Sequence, residues 1–229
     1  MNAEVVATGS TGNFSVLEKK VSIDLGVSYK VVEPYMEDLK LCLLTHIHSD
    51  HFRPSTVRRM AMEKPLLRFG GCAWMVKPLV DAGVAKAQID VFKPNYLYSY
   101  GICNVIPVEL YHDVPNVGYK IHFPAGKVFY ATDTGSLSGI SARNYDLLMV
   151  ESNYIDEEIQ ARMDEKRARG EYCYEQRSLK YHLSKAKCDD FIVKNSGPNT
   201  QYMYLHCHVE RENDRKISEP LTEWEKDEG

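Results

Sequence analysis

The segment His46-Ile47-His48-Ser49-Asp50-His51 places three of the chain's eight histidines and one aspartate within six residues. Neutral imidazole nitrogens and carboxylate oxygens are borderline-to-hard donors suited to zinc, manganese, iron or cobalt. Four such donors exceed what one tetrahedral site takes from a single loop. With ligands returning from elsewhere, they supply half of each of two sites. Two adjacent divalent ions can share a hydroxide, because metal binding brings a water's pKa down to about 7, and can neutralise charge building on a phosphoryl oxygen. Such chemistry needs no nucleophilic serine, and the chain contains neither a GxSxG elbow nor a GxxxxGK[ST] phosphate loop.

These donors must be held by rigid elements. The cluster follows Leu41-Cys42-Leu43-Leu44, an apolar run that reads as a buried strand. His112 follows the strand-like Val105–Leu110, Asp133 follows Lys127–Ala131 within Thr132-Asp133-Thr134-Gly135, and His206 follows Tyr202–Leu205. Loops at strand ends are where catalytic groups collect on a rigid scaffold. A lone histidine there is ordinarily a turn residue, but here the placement recurs for every candidate ligand.

Around them the pattern alternates between strands and helices. Strands are expected over 4–7, 14–18, 21–25, 64–69, 119–123, 128–131 and 147–150, with Gly70-Gly71 as a turn and 96–100 as an edge. Helices are expected over 32–39, 55–63 after Pro54, 73–82, 156–169, and 184–194 capped by Ser184. A single domain over 1–210 and a charged tail over 211–229 are predicted.

The chain has 229 residues, 44% of them apolar, and a net charge of −4. That charge does not suit holding long nucleic acid by counterion release alone, although two divalent ions would make a local site attractive to phosphate. No apolar run is long enough for a membrane span. Met1-Asn2-Ala3-Glu4 lacks the basic start of a secretory leader, and the six cysteines form no CxxC. Buried or idle thiols in a reducing, cytoplasmic setting are expected.

The HxHxDH run, followed in order by His, Asp and His, resembles the metallo-β-lactamase superfamily of hydrolases. Gly9-Ser10-Thr11-Gly12-Asn13 and Ile23-Asp24-Leu25-Gly26 are similar to its first glycine turn and its second-strand aspartate. His112-Asp113-Val114-Pro115-Asn116-Val117-Gly118-Tyr119, Glu151-Ser152-Asn153 and His182-Leu183-Ser184 resemble the YycJ/WalJ-like branch, whose members are regarded as DNA exonucleases. The resemblance implies an α/β fold of αββα type, two mixed sheets packed face to face with helices outside. It implies two divalent ions, zinc or manganese first, iron or cobalt otherwise. His46, His48 and His112 would hold one, Asp50, His51 and His206 the other, and Asp133 would bridge them. Asp24 would orient the ligand loop from behind. Asp50 and Asp133 would position the attacking hydroxide, His182 would contact a phosphate or the leaving oxygen, and Asn153 and His208 would line the substrate site. Tyr154 and Cys207-His208 depart from the branch pattern.

The function implied is a phosphodiesterase or nuclease in which the bridging hydroxide attacks a DNA or RNA end. The competing readings are a phosphodiesterase for a small cyclic nucleotide or nucleotide signal, a lactone or thioester hydrolase, and a metal-binding protein without turnover. A nucleic acid or nucleotide partner and no membrane are expected, with a homodimer left open.

Overall fold

The computed structural model describes residues 1–207. Its strands are β1 (Ala3–Ala7), β2 (Phe14–Leu17), β3 (Val21–Ile23), β4 (Leu41–Leu43), β5 (Arg68–Cys72), β6 (Ile89–Phe92), β7 (Tyr98–Tyr100), β8 (Cys103–Leu110), β9 (Asn116–Phe123), β10 (Gly126–Ala131), β11 (Leu147–Glu151) and β12 (Gln201–Leu205). Its α-helices are α1 (Tyr29–Val32), α2 (Pro54–Glu63), α3 (Ala73–Asp81), α4 (Asp156–Ala168), α5 (Glu175–Tyr181) and α6 (Lys185–Asn195). Two mixed six-stranded sheets result, in the orders β1-β2-β3-β4-β5-β6 and β12-β11-β10-β9-β8-β7. The fold class is α/β, as expected. Among the described residues no helix is long and apolar enough to cross a membrane.

Two compact units are present. The first comprises Met1–Glu109 and Val114–Ala125. Its strands β1, β2 and β3 pair antiparallel, and β3, β4, β5 and β6 pair parallel. β4 has a neighbour on each side and is buried along its whole length, which is why it reads as an unbroken apolar run. Phe14, Leu25, Leu44, Met60, Phe69 and Leu79 belong to its core. Because β3 and β4 are parallel with Ile23 opposite Leu43, the residues following them, Asp24 and Leu44-Thr45-His46, emerge at one edge. The Asp24 backbone N–H donates to the Leu43 carbonyl at 2.9 Å, which holds that edge together.

The second unit comprises Leu110–Asp113 and the described chain from Gly126 onward. β10, β11 and β12 run parallel, with Ala131 opposite Val150 and Glu151 opposite Leu205. Their C-terminal ends bring Asp133, Glu151 and His206 to a common edge. Leu110, Phe129, Leu148, Val150, Phe191 and Ile192 form its core. The Ser184 hydroxyl caps α6 by accepting from the Lys187 backbone N–H at 3.4 Å.

Three sequence expectations need correction. Gly70-Gly71 is not a turn but the middle of β5, paired with β4 and β6. A Cβ on Gly70 would lie 2.4 Å from the Phe92 ring, so the glycine admits a packed aromatic rather than a chain reversal. The strand foreseen over 64–69 accordingly starts later, at Arg68. The helix foreseen over 32–39 forms earlier, at Tyr29–Val32, and passes into a 3-10 turn over Glu33–Tyr35 led by Pro34. β6 and α5 are additional elements.

Candidate functional site

In the first unit, the loop after β4 gathers four candidate ligands around one carboxylate. Asp24 is fully buried, and its Oδ1 accepts the Thr45 backbone N–H and hydroxyl, both at 2.9 Å. Its Oδ2 accepts from His51 Nδ1 at 2.7 Å. The Thr45 hydroxyl donates to Asp24, so its oxygen accepts from His46 Nδ1, 2.9 Å away. Both imidazoles therefore carry their proton on Nδ1, leaving the Nε2 lone pairs to be presented elsewhere. His46 Nε2 lies 3.1 Å from His48 Nδ1, and His51 Nε2 lies 3.5 Å from Asp50 Oδ2. Asn13 closes this group. Its side-chain N–H group donates to the Gly9 and Asp50 carbonyls, both at 3.1 Å, and stands 2.8 Å from His51 Nε2. Gly26 lets the loop approach β3, since a Cβ there would fall 1.7 Å from the Asp50 carbonyl oxygen.

In the second unit, Asp133 is buried among imidazoles. Its Oδ1 lies 3.5 Å from His206 Nε2, 3.6 Å from His182 Nδ1 and 4.0 Å from His112 Nε2. His112 Nδ1 donates to the Tyr181 carbonyl at 3.2 Å, which fixes its tautomer. Burial, with the neighbouring His182 adding to it, lowers the His112 pKa to about 4 against the pull of Asp133 and Asp113. His112 is thus neutral at pH 7, the form that ligates. For His182, burial opposes charging, but Glu151, 2.5 Å from its Nδ1, together with Asp133 outweighs that and raises its pKa above 6.5. The His182 ring stacks on His206 at 5.3 Å. His206 Nδ1 meets the Asn153 side-chain nitrogen at 2.9 Å, and that nitrogen also donates to the His206 carbonyl at 3.1 Å.

Three of these residues hold left-handed backbones: Asp24 at φ 59°, Asp133 at φ 55° and His206 at φ 51°. Each costs roughly 1–2 kcal/mol relative to ordinary geometry, and such strain concentrates where side chains are aimed for function.

The structure therefore gathers His46, His48, Asp50, His51 and Asp24 in one unit, and His112, Asp133, His182, His206 and Asn153 in the other. His208 lies outside the described residues. Tyr154 is buried and bridges Ser184 in parallel fashion, and burial pushes its phenol up to about 12. Two contributors stand in words the sequence resemblance rests on but are given no role there. Glu151 is fully buried and also accepts the Thr134 backbone N–H at 2.8 Å. It sits at the end of an apolar strand, the same signal that marks His206. Asn13 had a weaker signal, its place just after a glycine turn.

No family model matches the chain. It is 27% identical over 234 aligned positions to exodeoxyribonuclease WalJ of Streptococcus pneumoniae serotype 2 strain D39, covering 93% of this chain and 82% of that protein. It is 27% identical over 149 positions to exodeoxyribonuclease YycJ of Bacillus anthracis, covering 60% and 56%. Its structure superposes on the metallo-β-lactamase fold protein YhfI from Bacillus subtilis with a TM-score of 0.69 at 16% identity, covering 93% of this chain and 89% of that one. The chain has the metallo-β-lactamase fold and is similar in sequence to WalJ and YycJ. Human tRNase Z, short form, is similar at a TM-score of 0.67 and 15% identity, covering 96% and 100%. Zinc-bound PqqB from Methylobacterium extorquens is similar at 0.63 and 9%, covering 90% and 88%.

The donor chemistry of the chain fits divalent cations. In the second unit, Asp133, Glu151, His182 and His206 each offer a ligand atom within 4.8 Å of the others. A buried carboxylate needs a cation or several hydrogen bonds. His46, His51 and His112, whose Nδ1–H groups are held by oxygen acceptors behind them, present Nε2 lone pairs of the kind a divalent metal accepts.

Proposed function

We propose that the chain is a metal-dependent hydrolase of phosphodiester bonds, a nuclease-type phosphodiesterase acting on the ends of DNA or RNA. The observation that carries this reading is the Asp133 cluster of the second unit. There a buried carboxylate following β10 is ringed by His206 after β12, His112 after β8 and His182 between α5 and α6, in a chain similar to two exodeoxyribonucleases over much of its length.

His46, His48, Asp50 and His51 of the first unit, and His112, Asp133 and His206 of the second, would serve as ligands to divalent ions. Such ions supply Lewis acidity and a water acidified to neutral pH. The protein's own groups do the rest. Asp24 keeps Nε2 of His46 and His51 unprotonated through the hydrogen bonds described above. Asp50 and Asp133 supply negative charge that balances the cations. Glu151 fixes His182 by its Nδ1, leaving Nε2 as the polar atom that contacts a phosphoryl oxygen or gives a proton to the leaving oxygen. Asn153 steadies His206. Zinc and manganese both suit this nitrogen-and-oxygen set.

The test is hydrolysis by the purified protein supplied with manganese or zinc. Bis-p-nitrophenyl phosphate reports the chemistry. A 5′-phosphorylated DNA duplex set against 2′,3′- and 3′,5′-cyclic nucleotides reports the substrate class. Turnover of the DNA above the cyclic nucleotides is the expected result. No turnover of any phosphodiester with either metal overturns the reading.

A further inference from the structure

The second unit carries a groove of about 670 Å³ between the loop after Asp133 and helix α6. Gly135, two residues beyond Asp133, and Leu183, next to His182, both line it, so it begins at the candidate site. Its floor is apolar, with Leu137, Leu183 and Phe191. Its rim carries the exposed cations Arg143, Lys187 and Lys194 against one carboxylate, Asp190. Lys194 stands 4.0 Å from Asp190, while among the described residues Arg143 and Lys187 enter no ion pair. A chain of net charge −4 thus concentrates positive charge along this groove.

A second observation lies at the groove's site end. A Cβ on Gly135 would come within 3.1 Å of the Tyr111 ring. Tyr111 is half exposed and stacks on Tyr181, with centroids 5.9 Å apart and planes 30° apart. These tyrosines immediately precede His112 and His182 in the chain. An open aromatic step therefore adjoins an apolar floor with a cationic rim. Single-stranded nucleic acid uses that combination, its phosphates on cations and its base faces on aromatic or apolar surface. A duplex hides its base faces and would leave the floor unused.

We propose that this groove is the track for the single strand whose end is cleaved, with Tyr111 stacking the base beside the reacting phosphodiester. The proposal rests on the phosphodiesterase reading and assigns its substrate path. Binding of a fluorescein-labelled oligothymidylate in EDTA, where no turnover occurs, is followed by anisotropy between about 50 and 200 mM salt. Arg143→Glu with Lys187→Glu is expected to weaken binding at least about tenfold and to flatten the salt slope by about 1.4, since each single-strand phosphate contact contributes about 0.7. Lys30→Glu with Lys77→Glu, which changes net charge equally but lies in the first unit, is expected to bind like the parent. If the charge reversals prevent folding, Arg143→Gln with Lys187→Gln gives the same slope test. Tyr111→Ala is expected to abolish the quenching of a terminal 2-aminopurine that the parent protein produces, and Tyr111→Trp to retain it.

Parental affinity in the groove double variant, or an equal loss in the control pair, overturns the proposal. Hydrolysis of bis-p-nitrophenyl phosphate by the parent protein decides the phosphodiesterase reading separately. A failed track with active chemistry is thereby distinguished from failed chemistry.

Discussion

Asp24 Oδ2 stands 2.7 Å from His51 Nδ1, and the other oxygen of the same carboxylate reaches His46 through the Thr45 hydroxyl. One buried aspartate thereby sets the tautomer of two imidazoles proposed as metal ligands. It does so because β3 and β4 are parallel and in register, so the residues that follow them leave the sheet side by side.

Replacing Asp24 by Asn keeps the shape but removes the charge that holds both protons on Nδ1. Metal affinity is expected to fall about 10–100-fold, the usual effect of losing a hydrogen-bond partner behind a ligand. Competition against a chelating dye measures it, and circular dichroism checks that the fold persists. Unchanged affinity would mean that the imidazoles are oriented without Asp24.

The Glu151–His182 contact makes a pH prediction. In metal-free protein the His182 ring, followed by NMR, should titrate above 6.5, because Glu151 and Asp133 outweigh burial. Glu151→Gln should move that titration downward. The stability sign follows from the raised folded value. The Glu151–His182 interaction contributes fully below the unfolded pKa of about 6.5 and is lost as pH rises through the folded pKa. The parent-to-variant difference in Tm should therefore be larger near pH 6 than near pH 9. A difference that grows toward alkaline pH contradicts the assignment.

The chemistry of the ligands is legible in sequence because histidine clusters are rare and their donor types are restrictive. The core strands are legible because both their faces are apolar. Glu151 is harder to see, since a glutamate ending a strand looks like an ordinary solvated residue until Thr134, Leu183 and His182 close around it. Gly70-Gly71 misleads for a different reason. Paired glycines usually reverse a chain, and only the Phe92 ring packed over Gly70 reveals why they sit within a strand. α5 carries few apolar residues in a short span, so periodicity does not announce it.

Gly26 shows how closely the ligand loop is seated. Gly26→Ala would place a methyl group 1.7 Å from the Asp50 carbonyl oxygen and 2.7 Å from the His51 backbone nitrogen. These are backbone atoms and cannot rotate away, so the loop must lift off β3. A cost of about 3 kcal/mol or more is expected from such overpacking, lowering Tm by roughly 6–12 °C for a chain of this size. Weaker metal binding should accompany it because Asp50 and His51 move together. Thermal denaturation with and without added metal measures both effects, and a Tm within a degree or two of the parent would show that the loop has slack.

The cysteines give a test of the packing that does not involve the site chemistry. Cys42, Cys72, Cys103, Cys188 and Cys207 are buried, whereas Cys173 is partly exposed. Burial pushes the thiols of Cys42, Cys72 and Cys103 up to about 12 and that of Cys188 well above its ordinary value. Thiolate is the reactive form, so at pH 8 the folded protein should release one rapid equivalent of thionitrobenzoate from Ellman's reagent, assigned to Cys173. Cys173→Ser should remove that phase, and denaturant should expose all six thiols of the parent chain. Several rapid equivalents in the native protein would mean that the cores around Cys42 and Cys188 open far more readily than their burial implies.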